Sequence, residues 1–130
     1  MKIKDLMAVD VEAVEQGATL DEAAYIMGSA GVRSLPVVKG ETVVGIITDR
    51  DIIGRAVAEG LDCVETKVHD VMTGTVVTCR AEDDLTEAQR LLARHGFRQI
   101  VIVDGEGQLA GMLDRADIAN AAAHEPSQAV

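Results

Sequence analysis

The sequence predicts an α+β fold: two β-α-β-β-α repeats packed face to face through their sheets with pseudo-twofold symmetry. Three observations lead there. First, the chain matches itself. When Asp5 and Met7 are laid on Asp70 and Met72, Leu20, Glu22 and Ala23 fall on Leu85, Glu87 and Ala88, Gly31 and Arg33 on Gly96 and Arg98, and Val38 on Val103. One extra residue in the turn at 105–107 then brings Gly45, Asp51 and Ile52 onto Gly111, Asp117 and Ile118. Second, apolar spacing switches between strand-like and helix-like in the same order within each half. Third, neither half is large enough to cover its own sheet, so two sheets sharing one core are expected, with two related clefts between the halves.

Each element has a local cause. Residues 9–14, and 76–79 in the second copy, are short and β-branched-rich, as a strand requires. Thr19 precedes a helix with Glu22 three residues on, and Asp84 and Glu87 repeat that capping-box spacing. Leu20, Ala23, Ala24 and Met27 share one helical face, as do Leu85, Ala88, Leu91 and Leu92. Gly31 and Gly96 stand where a helix should stop in a left-handed conformation. Apolar runs 35–38 and 43–47 flank Lys39-Gly40-Glu41, a hairpin pattern that 100–103 and 109–113 repeat. Helices over 49–59 and 115–123 close the halves. The expected organisation is repeat one at 1–60, a linker at 61–67, repeat two at 68–123 and a flexible tail at 124–130.

Composition narrows the function. Aromatic residues make up 2% of the chain, so the core must be aliphatic, and stacking platforms for single-stranded nucleic acid are missing. Asp and Glu number 22 against 12 Lys and Arg, for a net charge of −10, and no basic run offsets it. A phosphate backbone is repelled by such a surface, so no nucleic-acid partner is expected. Nor is a membrane partner, for no stretch of about 18 apolar residues and no signal-peptide pattern at Met1 is present. A cytoplasmic location is expected. Cys63 and Cys79 fit it as free thiols; a labile disulfide between them would depend on geometry. His69, His95 and His124 are scattered without metal-ligand spacing, so no metal is expected.

Three segments carry a resemblance to a known family. Asp70-Val71-Met72-Thr73, Gly31-Val32-Arg33-Ser34-Leu35-Pro36-Val37-Val38 and Gly45-Ile46-Ile47-Thr48-Asp49-Arg50-Asp51-Ile52 resemble the signature segments of CBS domains, in order and largely twice over. The resemblance covers residues 1–123. It implies a stand-alone CBS pair, or Bateman module, that dimerises into a flat disc. It also implies no required cofactor, but an adenosyl ligand (AMP, ADP, ATP or S-adenosylmethionine) bound in the clefts between repeats. The module would signal to an unidentified effector protein.

The resemblance also suggests the site residues. In the family, a Thr or Ser followed three residues later by Asp binds the ligand, and Thr48 and Asp51 match. A carboxylate can accept two hydrogen bonds from a ribose diol, and a Thr at a helix start adds a donor where N–H groups favour an anion. Arg33 and Arg50 would supply countercharge to phosphate. Ser34 and Pro36, in the same signature segment as Arg33, join the expected contacts. The Thr48/Asp51 spacing is equally that of an ordinary N-cap; spacing alone favours the cap, and the three-segment context favours the ligand. In repeat two Asp117 is kept, but Asp114 replaces Thr48 and Val101 replaces Pro36. Unequal clefts are therefore expected: the Thr48/Asp51 cleft nucleotide-competent, the Asp114/Asp117 cleft empty, bridged by a cation or taking a less anionic ligand, unless Arg98 and Arg115 rescue it. Nothing matches a nucleophile–base pair or a Gly-rich phosphate loop, so no enzyme is expected. The competing reading is a structural or protein-interaction dimer with vestigial nucleotide sites.

Overall fold

The computed structural model describes residues 1–74 and 77–123. The tail at 124–130 with His124, and the strand start at Val76, lie outside the described residues. The chain forms two compact units that cut it differently from the repeats: residues 12–76 make one, and Met1–Val11 with the chain from Val77 onward makes the other. Each repeat's leading segment thus packs on the sheet of the other repeat.

In the first unit the strand β1 (Val14–Glu15) leads into helix α1 (Leu20–Ala30), then β2 (Ser34–Lys39) and β3 (Thr42–Thr48). β1 lies parallel to β2 with Val14 opposite Val37, and β2 and β3 form an antiparallel hairpin with a bulge at Val37/Val38. A short helix α2 (Asp49–Ile52) continues into a π-helical turn (Ile53–Val57), and α3 (Val68–Val71) completes the unit. The expected helix over 49–59 is therefore a turn of α-helix widened into a π-turn, closed by the Ala58 amide donating to the Ile53 carbonyl at 2.9 Å. Leu20, Ala23 and Met27 of α1 pack on Leu35, Val37 and Ile47 of the sheet, with Ile52, Ala56, Val68 and Val71 closing the cluster. Leu20, Leu35, Val37, Ile47 and Val68 are wholly buried, each contributing on the order of 1.5–3 kcal/mol of transfer free energy.

The second unit repeats the pattern with β4 (Thr78–Arg80), α4 (Leu85–His95), β5 (Gln99–Val103), β6 (Leu109–Asp114) and α5 (Arg115–Ala123). β4 runs parallel to β5, β5 antiparallel to β6, and a bulge falls at Ile102/Val103. Ala88, Leu92, Ile100, Ile102, Leu113 and Ile118 build its core together with Cys79 and with Ile3 from a 3-10 turn (Ile3–Asp5). Cys79 is buried and Cys63 half-buried, both as free thiols, and burial pushes the Cys79 thiol up to about 11.

Two local expectations are corrected. Residues 9–13 are not strand: β1 begins at Val14, and the residue before them, Ala8, pairs with Met112 through hydrogen bonds of 2.9 and 3.0 Å. The capping boxes expected at α1 and α4 do not form. Thr19 bonds its hydroxyl to the Asp21 carboxylate, and Asp84 takes the Thr86 amide at 3.1 Å while Glu87 pairs with Arg90 at 2.7 Å. The helix ends follow expectation, with Gly31 at φ 69° and Gly96 at φ 68°.

Candidate functional site

The ends of each hairpin gather the residues singled out from the sequence. Ser34 lies opposite Thr48, and the Asp49 amide donates to the Arg33 carbonyl at 2.9 Å, so Arg33, Ser34, Thr48, Arg50 and Asp51 share one end of the β2–β3 hairpin. Residues directly opposite in an antiparallel pair project to the same face. Ser34, Pro36 and Thr48 therefore lie on one sheet face and Leu35, Val37 and Ile47 on the core face. Pro36 is buried opposite Ile46, further along the strand than the turn residues.

Thr48 and Asp51 form a reciprocal capping box. The Asp51 amide donates to the Thr48 Oγ1 at 3.0 Å and the Thr48 amide to the Asp51 Oδ2 at 3.0 Å. Asp thus suffices where a longer Glu is usual, because the helix follows the extended Thr48 at once. The cap leaves chemistry unspent. Among the described residues the Thr48 hydroxyl hydrogen has no acceptor, and the Asp51 Oδ1 faces the Arg55 Nε at 3.9 Å. Arg33 and Arg50 are exposed.

The second repeat places Gln99 opposite Asp114, and the Arg115 amide donates to the Arg98 carbonyl at 2.8 Å, in the same register as the first. Asp114 caps α5: its Oδ1 accepts from the Ala116 amide at 2.7 Å and its Oδ2 from the Gln99 Nε2 at 3.1 Å. Both oxygens thus accept hydrogen bonds that fix the orientation of the carboxylate. A cavity of about 650 Å³ opens here, lined by Phe97, Arg98, Asp114, Arg115 and Ala119 among others. Arg115 also donates through its Nη2 to the Leu92 carbonyl at 2.8 Å. Asp117, half-buried, sits one helical turn beyond Asp114. Sequence reasoning missed Gln99, Phe97 and Arg55. Phe97 stacks on His95 with ring centroids 5.1 Å apart, and only its rarity in an aromatic-poor chain could have flagged it. Among the described residues no three His, Cys, Asp or Glu side chains group to hold a metal, and no helix is long and apolar enough to cross a membrane.

Two three-stranded α+β units of matched register, each ending in an acidic turn at a helix start, define a tandem-repeat module. Comparison with known proteins gives the family. The CBS domain matches at residues 3–58 and again at 68–124, and the chain belongs to the CBS domain family. It is 36% identical over 117 residues to the CBS domain-containing protein YhcV of Bacillus subtilis, covering 90% of this chain and 82% of that one. Other relatives are longer: the match covers 38% of the uncharacterized protein MJ1232 of Methanocaldococcus jannaschii and 23% of a homoserine O-acetyltransferase of Methanococcoides burtonii. Among solved structures, Hypoxic Response Protein I with two coordinated zinc ions is similar at TM-score 0.86 and 27% identity, covering 97% of this chain and all of that one. CBSX2 in complex with AMP is similar at TM-score 0.81 and 28% identity, covering 94% and 96%.

Proposed function

We propose that this CBS pair is a regulatory module that senses an adenosyl ligand of the AMP, ADP, ATP or S-adenosylmethionine class and signals its occupancy to an effector protein. The observation that carries this reading is the Thr48–Asp51 turn, whose unspent Thr hydroxyl and Asp51 Oδ1 suit a phosphorylated ribose. It is supported by the likeness to the AMP complex of CBSX2. The ribose diol donates to Asp51, the Thr48 hydroxyl and the start of α2 meet the phosphate, and Arg33 and Arg50 supply countercharge. In repeat two, Arg98 and Arg115 line a cavity beside Asp114, whose oxygens accept from the Ala116 amide and the Gln99 side chain, so that site takes a less anionic adenosyl ligand, held at the ribose by Asp117. The work is binding rather than catalysis, and the module acts as a homodimer.

Titration of AMP, ATP, S-adenosylmethionine and NADH by thermal shift and calorimetry tests this on the wild type, Asp51→Ala and Asp51→Asn. A ligand at 100 times its Kd should add about 2.7 kcal/mol of stability. Asp51→Asn keeps an oxygen for the cap and separates lost binding from lost folding. Saturable stabilisation by one ligand, weakened in both variants, is the expected result. The complete cap at Thr48–Asp51 also favours a second reading, a dimeric scaffold with vestigial sites. Silence toward all four ligands would support it.

A further inference from the structure

We propose that Arg55 is a positioning residue that ties the Asp51 carboxylate to the segment 71–73, so that occupancy of the Thr48–Asp51 turn changes how firmly this segment is held. The proposal rests on the reading of that turn as a ligand site. Arg55 lies in the π-turn that follows α2, and its Nε stands 3.9 Å from the Asp51 Oδ1. Its Nη1 donates to the carbonyls of Val71, at 3.1 Å, and Met72, at 3.4 Å. These are carbonyls at the end of α3, where a helix has acceptors without partners and favours a cation. One guanidinium fork therefore spans the candidate site and a second segment of chain.

The segment it holds is also docked by Val71, which is buried in the core of the unit, and by close backbone contacts. Thr73 exchanges hydrogen bonds of 3.1 and 2.9 Å with Ile46 of β3, and Met72 lies over Gly45, where an added Cβ would stand 2.6 Å from its sulfur. Arg55 supplies the ionic hold. The matching position in repeat two is Ala121, so the device belongs to repeat one alone. A diol donating into the Asp51 Oδ1 competes with Arg55 for that oxygen, and a phosphate beside Thr48 draws on the guanidinium. Either event weakens the hold on the Val71 and Met72 carbonyls. A ligand shifts a conformation only through such a difference in interaction between two states.

Hydrogen exchange read by mass spectrometry over residues 68–73 tests the tie. The Met72 and Thr73 amides, bonded to the Val68 and Ile46 carbonyls, serve as reporters. Wild type, Arg55→Ala, Arg55→Lys and Asp51→Asn are compared with and without AMP, with AMP affinity read by calorimetry and folding by thermal melts. Without ligand, Arg55→Ala and Asp51→Asn should both speed exchange over 68–73 several-fold, and Arg55→Lys should restore part of the protection. AMP should speed exchange there in the wild type and leave Arg55→Ala unmoved although that variant still binds. Unchanged exchange in unliganded Arg55→Ala, or an AMP response that survives in it, would overturn the proposal. Failure of the wild type to bind AMP would sink the ligand reading instead, and the unliganded comparison of Arg55→Ala with Asp51→Asn would still decide whether the two segments are tied.

Discussion

Gly45 in β3 and Gly111 in β6 hold matched positions, and each lies under the leading segment that docks on its sheet. A Cβ on Gly45 would stand 2.8 Å from the Thr73 carbonyl and 2.6 Å from the Met72 sulfur. A Cβ on Gly111 would overlap the Ala8 carbonyl and press on Met7. A thioether can swing aside, whereas a backbone carbonyl held by the Met112 amide at 3.0 Å cannot without losing that bond. Overpacking of this kind costs about 1–3 kcal/mol, so Gly111→Ala should lose stability in that range in urea titrations, and Gly45→Ala should lose less. Equal losses would mean that the carbonyls, and not the methionines, set both costs. Both glycines were visible in the sequence as a repeat match, yet their reason was not, because the chain that crosses them comes from far away along the sequence. The same holds for the site. Thr48 and Asp51 were legible because an i, i+3 pair is local, while Arg55 and Gln99 act through partners that only folding supplies.

The segment Met1–Val11 is the element that sequence reading placed least well, since a run of β-branched residues says strand without saying where it pairs. Its backbone docks through Ile3 to Asp83 and Lys4 to Ala81, each at 2.9 Å, and Ile3 is wholly buried. Outside, Lys2 and Lys4 grip Glu82 at 2.9 and 3.0 Å. Hydrogen bonds from Lys2 and then Lys4 hold the Glu82 carboxyl below its ordinary 4.5. A carboxyl depressed in the folded state contributes stability above its unfolded pKa and loses it as pH falls through the lowered value. The difference in melting temperature between wild type and Glu82→Gln should therefore be present at neutral pH and vanish in acid below that lowered value. A difference that persists there would show that the lysines do not sense the charge. The pair is exposed and its effect small, so Ile3→Ala, a core truncation of about 2–5 kcal/mol, should dominate the comparison. The helices α1 and α4 and both hairpins, by contrast, were readable nearly to the residue, because apolar periodicity and the glycine stops at Gly31 and Gly96 are local signals.

For the whole chain, a net charge of −10 would set the terms on which two copies meet. By their apolar character Ile52-Ile53, Ile118-Ala119 and the linker at 61–67 are the sequence's candidates for dimer contacts. Ile52 and Ile118 are buried in the cores of their own units and cannot serve. Ile53 and Ala119 remain exposed, and Val57 joins Ile53, each 61% exposed and four residues apart on one helical surface, with Leu61 and Val64 also exposed nearby in sequence. Such an apolar stripe on an acidic protein attracts a second copy by burial while like charge opposes it. Salt screens the second effect and leaves the first. Sedimentation velocity should therefore show a dimer that tightens as ionic strength rises. Ile53→Asp with Val57→Asp should return it to monomer at every salt concentration, with the melting temperature of the monomer unchanged. A dimer indifferent to the double substitution would move the interface to another face, and a wild type that stays monomeric at high salt would remove the disc from the proposed account of signalling.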